Sequence, residues 1–303
     1  MANKGNSGAV VLGVVIALVA FAFYKNPGWL DGGGADSNTP PFTGSEGGKG
    51  RYVALGDSYT SAPYVGHSGG GPEDCRRSAS NYPNRVARAI KVGTFVDVSC
   101  SGARTSDMAG TQRLESGSNP PQLNSLNSAT TLVTVGIGGN NIGFVSLVRG
   151  CVSATPSGSR CRDANTSGGT DRVAAKIAAT APKVGAVLDE IHQRAPSARV
   201  LVVGYPTILP TTGDGCWPVL PYGGPDVGYL RGEERRLNAM LAAQARAHGA
   251  GFVDTAAASV GHDVCTGLQT RWVEGLVPTS AAAPMHPNAK GEHAAARAVL
   301  AAL

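Results

Sequence analysis

Arg51-Tyr52-Val53-Ala54-Leu55-Gly56-Asp57-Ser58 is the stretch on which the fold turns. Four consecutive apolar residues closed by a glycine have the pattern of a strand buried on both faces, as in a parallel sheet. Two later stretches come close to it, each with one polar residue. Phe95-Val96-Asp97-Val98 runs into Ser101-Gly102-Ala103, and Leu132-Val133-Thr134-Val135 runs into Gly138-Gly139-Asn140-Asn141. Open parallel sheets bind ligands outside the carboxyl ends of their strands. Three strand ends therefore predict a serine hydroxyl, a glycine N–H and an asparagine amide along one edge. His286-Pro287-Asn288 adds a histidine from near the C-terminus, with proline fixing the backbone ahead of a final helix. A nucleophile, a base and two kinds of oxyanion donor make the set of an acyl-transfer site.

Outward from these motifs, five apolar runs serve as strands: 51–56, 94–98, 131–136, 199–204 and 251–254. Helical patterns separate them at about 81–91, 141–149, 171–194, 228–248 and 289–302. Strand and helix in alternation predict an α/β fold, a three-layer α/β/α sandwich around a five-stranded parallel sheet with right-handed crossovers. Loops 59–80, 110–128, 150–170 and 205–227 are long and rich in Gly, Pro and Ser, and loops of that length carry function or need bracing.

The chain has 303 residues, and the 253 from Arg51 onward suffice for one domain with a sizeable core. The net charge of +5 forms no block: Arg231, Arg235 and Arg236 stand beside Glu233 and Glu234, as on a solvated helix face rather than a nucleic-acid patch. Residues 1–25 are a different matter. Ala9 to Tyr24 is an apolar stretch of 16 residues between Lys4 and Lys25. That falls between a signal-peptide core of ~7–15 residues and a spanning helix of ~20, so the segment is a signal peptide or a membrane anchor. Residues 26–50, with eight glycines and three prolines, read as a disordered linker. The domain is then extracellular or held at the cell surface, touching the membrane only through an uncleaved N-terminal segment. Six cysteines, Cys75, Cys100, Cys151, Cys161, Cys216 and Cys265, all lie in the domain and suit an oxidising compartment.

Ser58 is the candidate nucleophile, with Asp57 ordering the turn through backbone hydrogen bonds rather than acting as a base. Gly66-His67-Ser68-Gly69-Gly70 also fits the Gly-x-Ser-x-Gly pattern of a nucleophile elbow. No strand precedes it and Gly71-Pro72 follows, so a glycine-rich loop is the better reading. The backbone N–H groups of Ser58 and Gly102 and the side chain of Asn140 are the candidate oxyanion donors. Of six histidines, His67 sits in that loop, His192 and His248 lie near helix ends, and His262 and His293 have no motif around them. His286 is the candidate general base. There is no His-Glu-x-x-His, no Cys-x-x-Cys, and no Gly-x-Gly-x-x-Gly behind a strand, so no metal or cofactor is expected.

The ordered blocks Gly56-Asp57-Ser58, Ser101-Gly102-Ala103, Gly138-Gly139-Asn140-Asn141 and His286-Pro287-Asn288 resemble those of the GDSL, or SGNH, hydrolase family from Tyr52 to about Ala296. The six cysteines and Arg271-Trp272-Val273-Glu274-Gly275 resemble its secreted actinobacterial esterases and lipases. The resemblance implies a flavodoxin-like fold, serine ester hydrolysis and sequential disulfides Cys75–Cys100, Cys151–Cys161 and Cys216–Cys265. Two departures stand out. The family block usually reads Gly-x-Asn-Asp, whereas this chain has Asn141. Many relatives carry an aspartate three residues before the histidine, where this chain has Ala283. Either the backbone carbonyl of Ala283 accepts the imidazole N–H, or an acid such as Asp254 or Asp263 comes from elsewhere. The expected partner is an ester substrate, lipid or acylated small molecule, and the expected state a monomer. Acyl or acetyl transfer to, or deacetylation of, a cell-envelope glycan would use the same residues. A non-catalytic surface-binding module of this fold would keep them without the activity.

Overall fold

A computed structural model describes residues 41–303. The signal or anchor assigned to residues 1–25 lies outside them, as does most of the linker. Strands β1 (Arg51–Gly56), β2 (Thr94–Asp97), β5 (Leu132–Gly136), β6 (Arg199–Val203) and β7 (Gly251–Val253) form one sheet in the order β2-β1-β5-β6-β7, parallel throughout. β3 (Gln112–Leu114) and β4 (Gly117–Asn119) form a separate antiparallel pair inside a stretch the sequence assigns to loop. These strands are only three residues long and largely polar, so they carry no alternation of apolar side chains to reveal them.

β1 shows why the fold has three layers. Its side chains alternate: Tyr52 and Ala54 join Phe95, Leu201, Val203, Val86 and Val299 on one face. Val53 and Leu55 join Val133, Val135, Leu188 and Leu241 on the other. Helices Tyr82–Ala89 and Ala289–Ala301 cover the first face. Helices Arg172–Arg194 and Gly224–Ala247 cover the second. A strand buried on both faces cannot alternate polar and apolar, which explains the unbroken apolar run in the sequence.

Residues 42–50 lie against the domain, where the sequence suggests linker. The Phe42 ring sits 6.3 Å from that of Phe95, Thr43 O accepts the Phe95 N–H at 2.6 Å, and Lys49 O and Gly50 O accept from Gly93 and Thr94. Glycine-rich chain supplies free backbone groups, and the open edge at β2 gives them partners. The three disulfides pair as the resemblance implies: Cys75–Cys100, Cys151–Cys161 and Cys216–Cys265. Each ties a long loop beyond the sheet. Among the described residues no helix is long and apolar enough to cross a membrane.

Candidate active site

The carboxyl end of β1 carries Asp57 and Ser58. Asp57 is buried and caps the short helix Ser58–Ser61, its Oδ1 accepting the Tyr59 N–H at 3.0 Å. Its other oxygen accepts a hydrogen bond from the Tyr205 hydroxyl at 2.6 Å, and that hydroxyl accepts the Gly139 N–H at 2.7 Å. Burial pushes the Asp57 carboxyl up to about 6, with the bond from Tyr205 and the backbone N–H working against it. Tyr205 thus ties the turn holding Ser58 to the loop holding Asn140. Motif reading missed it, although it follows the carboxyl end of β6, the neighbour of β5, where the same strand-end rule applies.

His286 lies 228 residues from Ser58 in the chain, yet its Nε2 is 2.7 Å from Ser58 Oγ. The imidazole is buried and stacks on the Tyr59 ring, with centroids 4.5 Å apart. The Tyr59 hydroxyl donates to Met285 O at 2.6 Å, pinning the loop that presents the histidine. Asn288 then caps helix Ala289–Ala301 through the N–H groups of Lys290 and Gly291. Burial lowers the His286 pKa from its ordinary 6.5 to about 4, with the hydrogen bond to Pro284 opposing the shift. The ring is therefore neutral at pH 7 and free to accept a proton.

The imidazole partner differs from expectation. Nδ1 bonds Pro284 O at 2.7 Å, not Ala283. The Ala283 carbonyl is already occupied, accepting the His286 backbone N–H at 3.1 Å. Residues 283–286 thus form a turn with proline in its second place and Met285, at φ +62°, in its third, the pattern of a type II β-turn. The Pro284 carbonyl belongs to the central peptide of that turn and stays free for the ring. Neither candidate acid reaches the ring: Asp254 accepts the Ala257 N–H at 2.9 Å, and Asp263 accepts the Cys265 N–H at 2.9 Å. The acceptor is a carbonyl, one residue later than expected.

Around Ser58 the donors gather. The backbone N–H groups of Ser58 and Gly102 reach no acceptor among the described residues. Gly102 has φ +79°, a conformation that favours glycine, and is exposed. Asn140 Nδ2 donates to Ala103 O at 2.9 Å, which fixes the amide and leaves its second hydrogen available. Asn141 fastens the same two loops together: its Oδ1 accepts the Thr105 N–H at 3.1 Å and its Nδ2 bonds Thr105 Oγ1 at 2.7 Å. An aspartate there could accept both, so the exchange costs little. Ser68 stands elsewhere, in an isolated bridge with Ser78, its hydroxyl accepting the Gly70 N–H.

Ser58 opens into an apolar cleft enclosing about 640 Å³ of empty space, part of it open to solvent. Ile142, Phe144, Leu147, Leu209, Leu237 and Met285 give it the lining an aliphatic chain requires. Glu234 also faces it, its carboxylate accepting the Ile208 N–H at 3.2 Å, and burial raises that carboxyl to about 8. Among the described residues, no three of His, Cys, Asp and Glu gather as a metal site would require.

Residues 54–294 match the profile of the GDSL-like Lipase/Acylhydrolase family. Among curated proteins, Lipase 2 of Streptomyces coelicolor is 38% identical over 252 residues, covering 80% of this chain and 81% of its own. Lipase 1 of the same organism is 34% identical over 244 residues, with 80% and 82% covered. Among solved structures, phospholipase A1 from Streptomyces albidoflavus superposes with a TM-score of 0.71 at 31% identity, over 84% of this chain and 98% of its own. An extracellular lipase from Streptomyces rimosus gives 0.71 at 30%, over 84% and 100%.

Proposed function

The chain belongs to the GDSL-like lipase/acylhydrolase family, and on that premise we propose that its carboxylic-ester hydrolysis runs through an acyl-enzyme on Ser58. The observation that carries this reading is the 2.7 Å hydrogen bond between His286 Nε2 and Ser58 Oγ. The neutral imidazole takes the serine proton as Oγ attacks the ester carbonyl. Charge then develops on the carbonyl oxygen, where the N–H groups of Ser58 and Gly102 and the amide of Asn140 are positioned to receive it. One such donor is worth ~10²–10³ in turnover. Collapse of the tetrahedral intermediate breaks the bond to the alcohol, which leaves with the proton returned by His286. Water, deprotonated by the same imidazole, releases the acid and restores Ser58.

No carboxylate is required. The Pro284 carbonyl accepts the Nδ1 proton, fixes the tautomer that leaves Nε2 basic, and offers a dipole to the imidazolium that forms. The apolar cleft beside Ser58 suits the acyl portion, and Gly102 faces solvent, where the alcohol can leave. Export belongs to this reading: three disulfides persist in oxidising compartments, and the Streptomyces rimosus relative is an extracellular lipase.

The test is p-nitrophenyl ester hydrolysis across acyl lengths. Ser58→Ala should reduce turnover by about four orders of magnitude or more with the circular dichroism spectrum unchanged. Ser68→Ala should retain most activity. An active Ser58→Ala together with an inactive Ser68→Ala would move the nucleophile and defeat the reading.

A further inference from the structure

Helix Gly224–Ala247 turns Leu230, Glu234, Leu237 and Leu241 to one side, because residues three and four apart share a helix face. Leu230, Glu234 and Leu237 line the same apolar cleft as Ser58, and Leu241 is wholly buried in the core. The stripe is thus apolar except at Glu234, where a carboxyl stands in a place that a leucine would suit better. A run of rings connects it to the nucleophile. Ser58 Oγ is 2.7 Å from His286 Nε2, and the His286 ring stacks on Tyr59 at 4.5 Å. Tyr59 in turn lies 5.0 Å from Tyr205. Three residues beyond Tyr205, the Ile208 N–H donates to Glu234.

Glu234 is sparsely partnered for a half-buried acid, since a carboxylate offers about four lone-pair sites. Among the described residues it receives one N–H, that of Ile208, shared between its two oxygens at 3.2 and 3.4 Å, and no cation pairs with it. Glu233, the other acid lining the cleft, differs: it is buried and pairs with Arg236. Burial raises the Glu234 carboxyl to about 8, helped by Asp263 and opposed by the Ile208 N–H and by Arg235. At neutral pH the group is then mostly an uncharged acid, able to donate a hydrogen bond as well as accept one. An acyl chain entering the cleft expels water. A methylene against Glu234 leaves the carboxyl with the Ile208 N–H alone, whereas a hydroxyl replaces the lost bonds.

We propose that Glu234 is a specificity-determining residue of the acyl cleft, and that it selects esters whose acyl chain carries a hydroxyl at the depth of its carboxyl. This role rests on the Ser58 reading and narrows its substrate class. With the ester at Ser58 and the chain in the cleft, the Glu234 carboxyl and the chain hydroxyl bond each other. Ile142, Phe144, Leu147 and Leu209 offer a hydroxyl no such partner, so the preference belongs to one position along the chain and reverses at others. A site built to bond a substrate hydroxyl discriminates more sharply against the analogue lacking it than an apolar pocket does by size. The reaction is otherwise unchanged. Water adds across the carboxylic ester bond, the alcohol leaves with the proton from His286, and the hydroxy acid is released with its chain hydroxyl intact.

The test uses the full chain in detergent and two series of methyl esters followed by acid release. One series is hexanoate, octanoate and decanoate, and the other carries a hydroxyl on the terminal carbon of each, which places that hydroxyl at three depths. The wild type should hydrolyse one hydroxy ester about fivefold or more better in kcat/KM than its plain counterpart, with the plain ester favoured at the other lengths. Glu234→Leu should reverse the preference at the selected length. Glu234→Gln, whose amide still donates and accepts, should keep most of it. Structural damage would lower both activities together and leave the ratio alone. Proton loss gives a second readout that needs no leucine variant. A carboxylate still accepts from a hydroxyl but is costlier to cover with methylene, so the wild-type ratio should widen as pH rises through about 8. The Glu234→Gln ratio should stay flat. A wild type without preference at any length, or with a ratio that does not widen, overturns the role of Glu234 while Ser58 chemistry stands. So does Glu234→Leu with an unchanged ratio, or Glu234→Gln with one that widens as the wild type's does. If no ester of either series is hydrolysed, the Ser58 reading falls, and the role of Glu234 with it.

Discussion

His286 illustrates how a residue's surroundings set its chemistry. An imidazole in water is half protonated near pH 6.5, and enclosure beside Tyr59 lowers that to about 4. The sign follows directly. A lowered histidine pKa keeps the base unprotonated in the free enzyme at every pH above about 5. The kcat/KM profile for a neutral ester should therefore stay flat down to about pH 5 and fall only near 4. An acid limb near 6 would instead report Asp57, whose carboxyl is pushed up to about 6 and whose protonation removes an acceptor from Tyr205. The same lowering affects stability. Between pH 6.5 and 4 the unfolded chain binds a proton at this residue that the folded chain refuses. The His286 contribution is thus complete above 6.5 and lost as pH falls through 4.

Among elements, the strand ends deliver Ser58, Gly102 and Asn140, three of the candidate catalytic groups, and the loops after them need fastening. β1, β5 and β6 end side by side, and the Tyr205 hydroxyl joins all three ends, donating to Asp57 and accepting from Gly139. Tyr205→Phe keeps the ring against Tyr59 but leaves one oxygen of the buried Asp57 carboxylate and the buried Gly139 N–H without a partner. Unfolding should become easier by ~1–3 kcal/mol. If the Asn140 amide drifts as a result, kcat should fall about 10- to 100-fold with KM little changed. Chemical denaturation together with steady-state kinetics separates the two effects. Stability loss with unchanged kcat would make Tyr205 a support of the fold alone.

For the whole molecule, long loops outside a compact three-layer core carry the entropic burden, and the disulfides reduce it. The Cys216–Cys265 bridge closes 49 residues of sequence, against 25 for Cys75–Cys100 and 10 for Cys151–Cys161. Cross-links act mainly by restricting the unfolded chain, more for longer loops, and each contributes about 2–4 kcal/mol. Non-reducing peptide mapping should recover these three pairs. Cys216→Ser with Cys265→Ser should lower Tm more than Cys151→Ser with Cys161→Ser. The reverse order would mean that the shorter bridge braces folded structure the longer one does not.

Much of this was legible from the chain alone. Strands in the middle of a parallel sheet are buried on both faces and almost wholly apolar, so β1, β5 and β6 announced themselves, while the less buried edge strands β2 and β7 showed only as short apolar runs; with them came the edge on which Ser58, Gly102 and Asn140 meet. His286 was recognisable because a proline and a helix-capping asparagine follow it in sequence. Other features depended on folded geometry. Pro284, not Ala283, faces the imidazole because the turn at 283–286 consumes one carbonyl and frees the next, a choice made by dihedral angles. Tyr205 and Tyr59 have no motif, and their roles arise from contacts 148 and 226 residues away in the chain. The β3–β4 pair and the docking of residues 42–50 were equally silent, because backbone hydrogen bonds hold them without a pattern of side chains. Local sequence fixes periodicity and the identity of reactive groups. Which carbonyl, hydroxyl or carboxyl stands beside them is decided only when distant segments pack together.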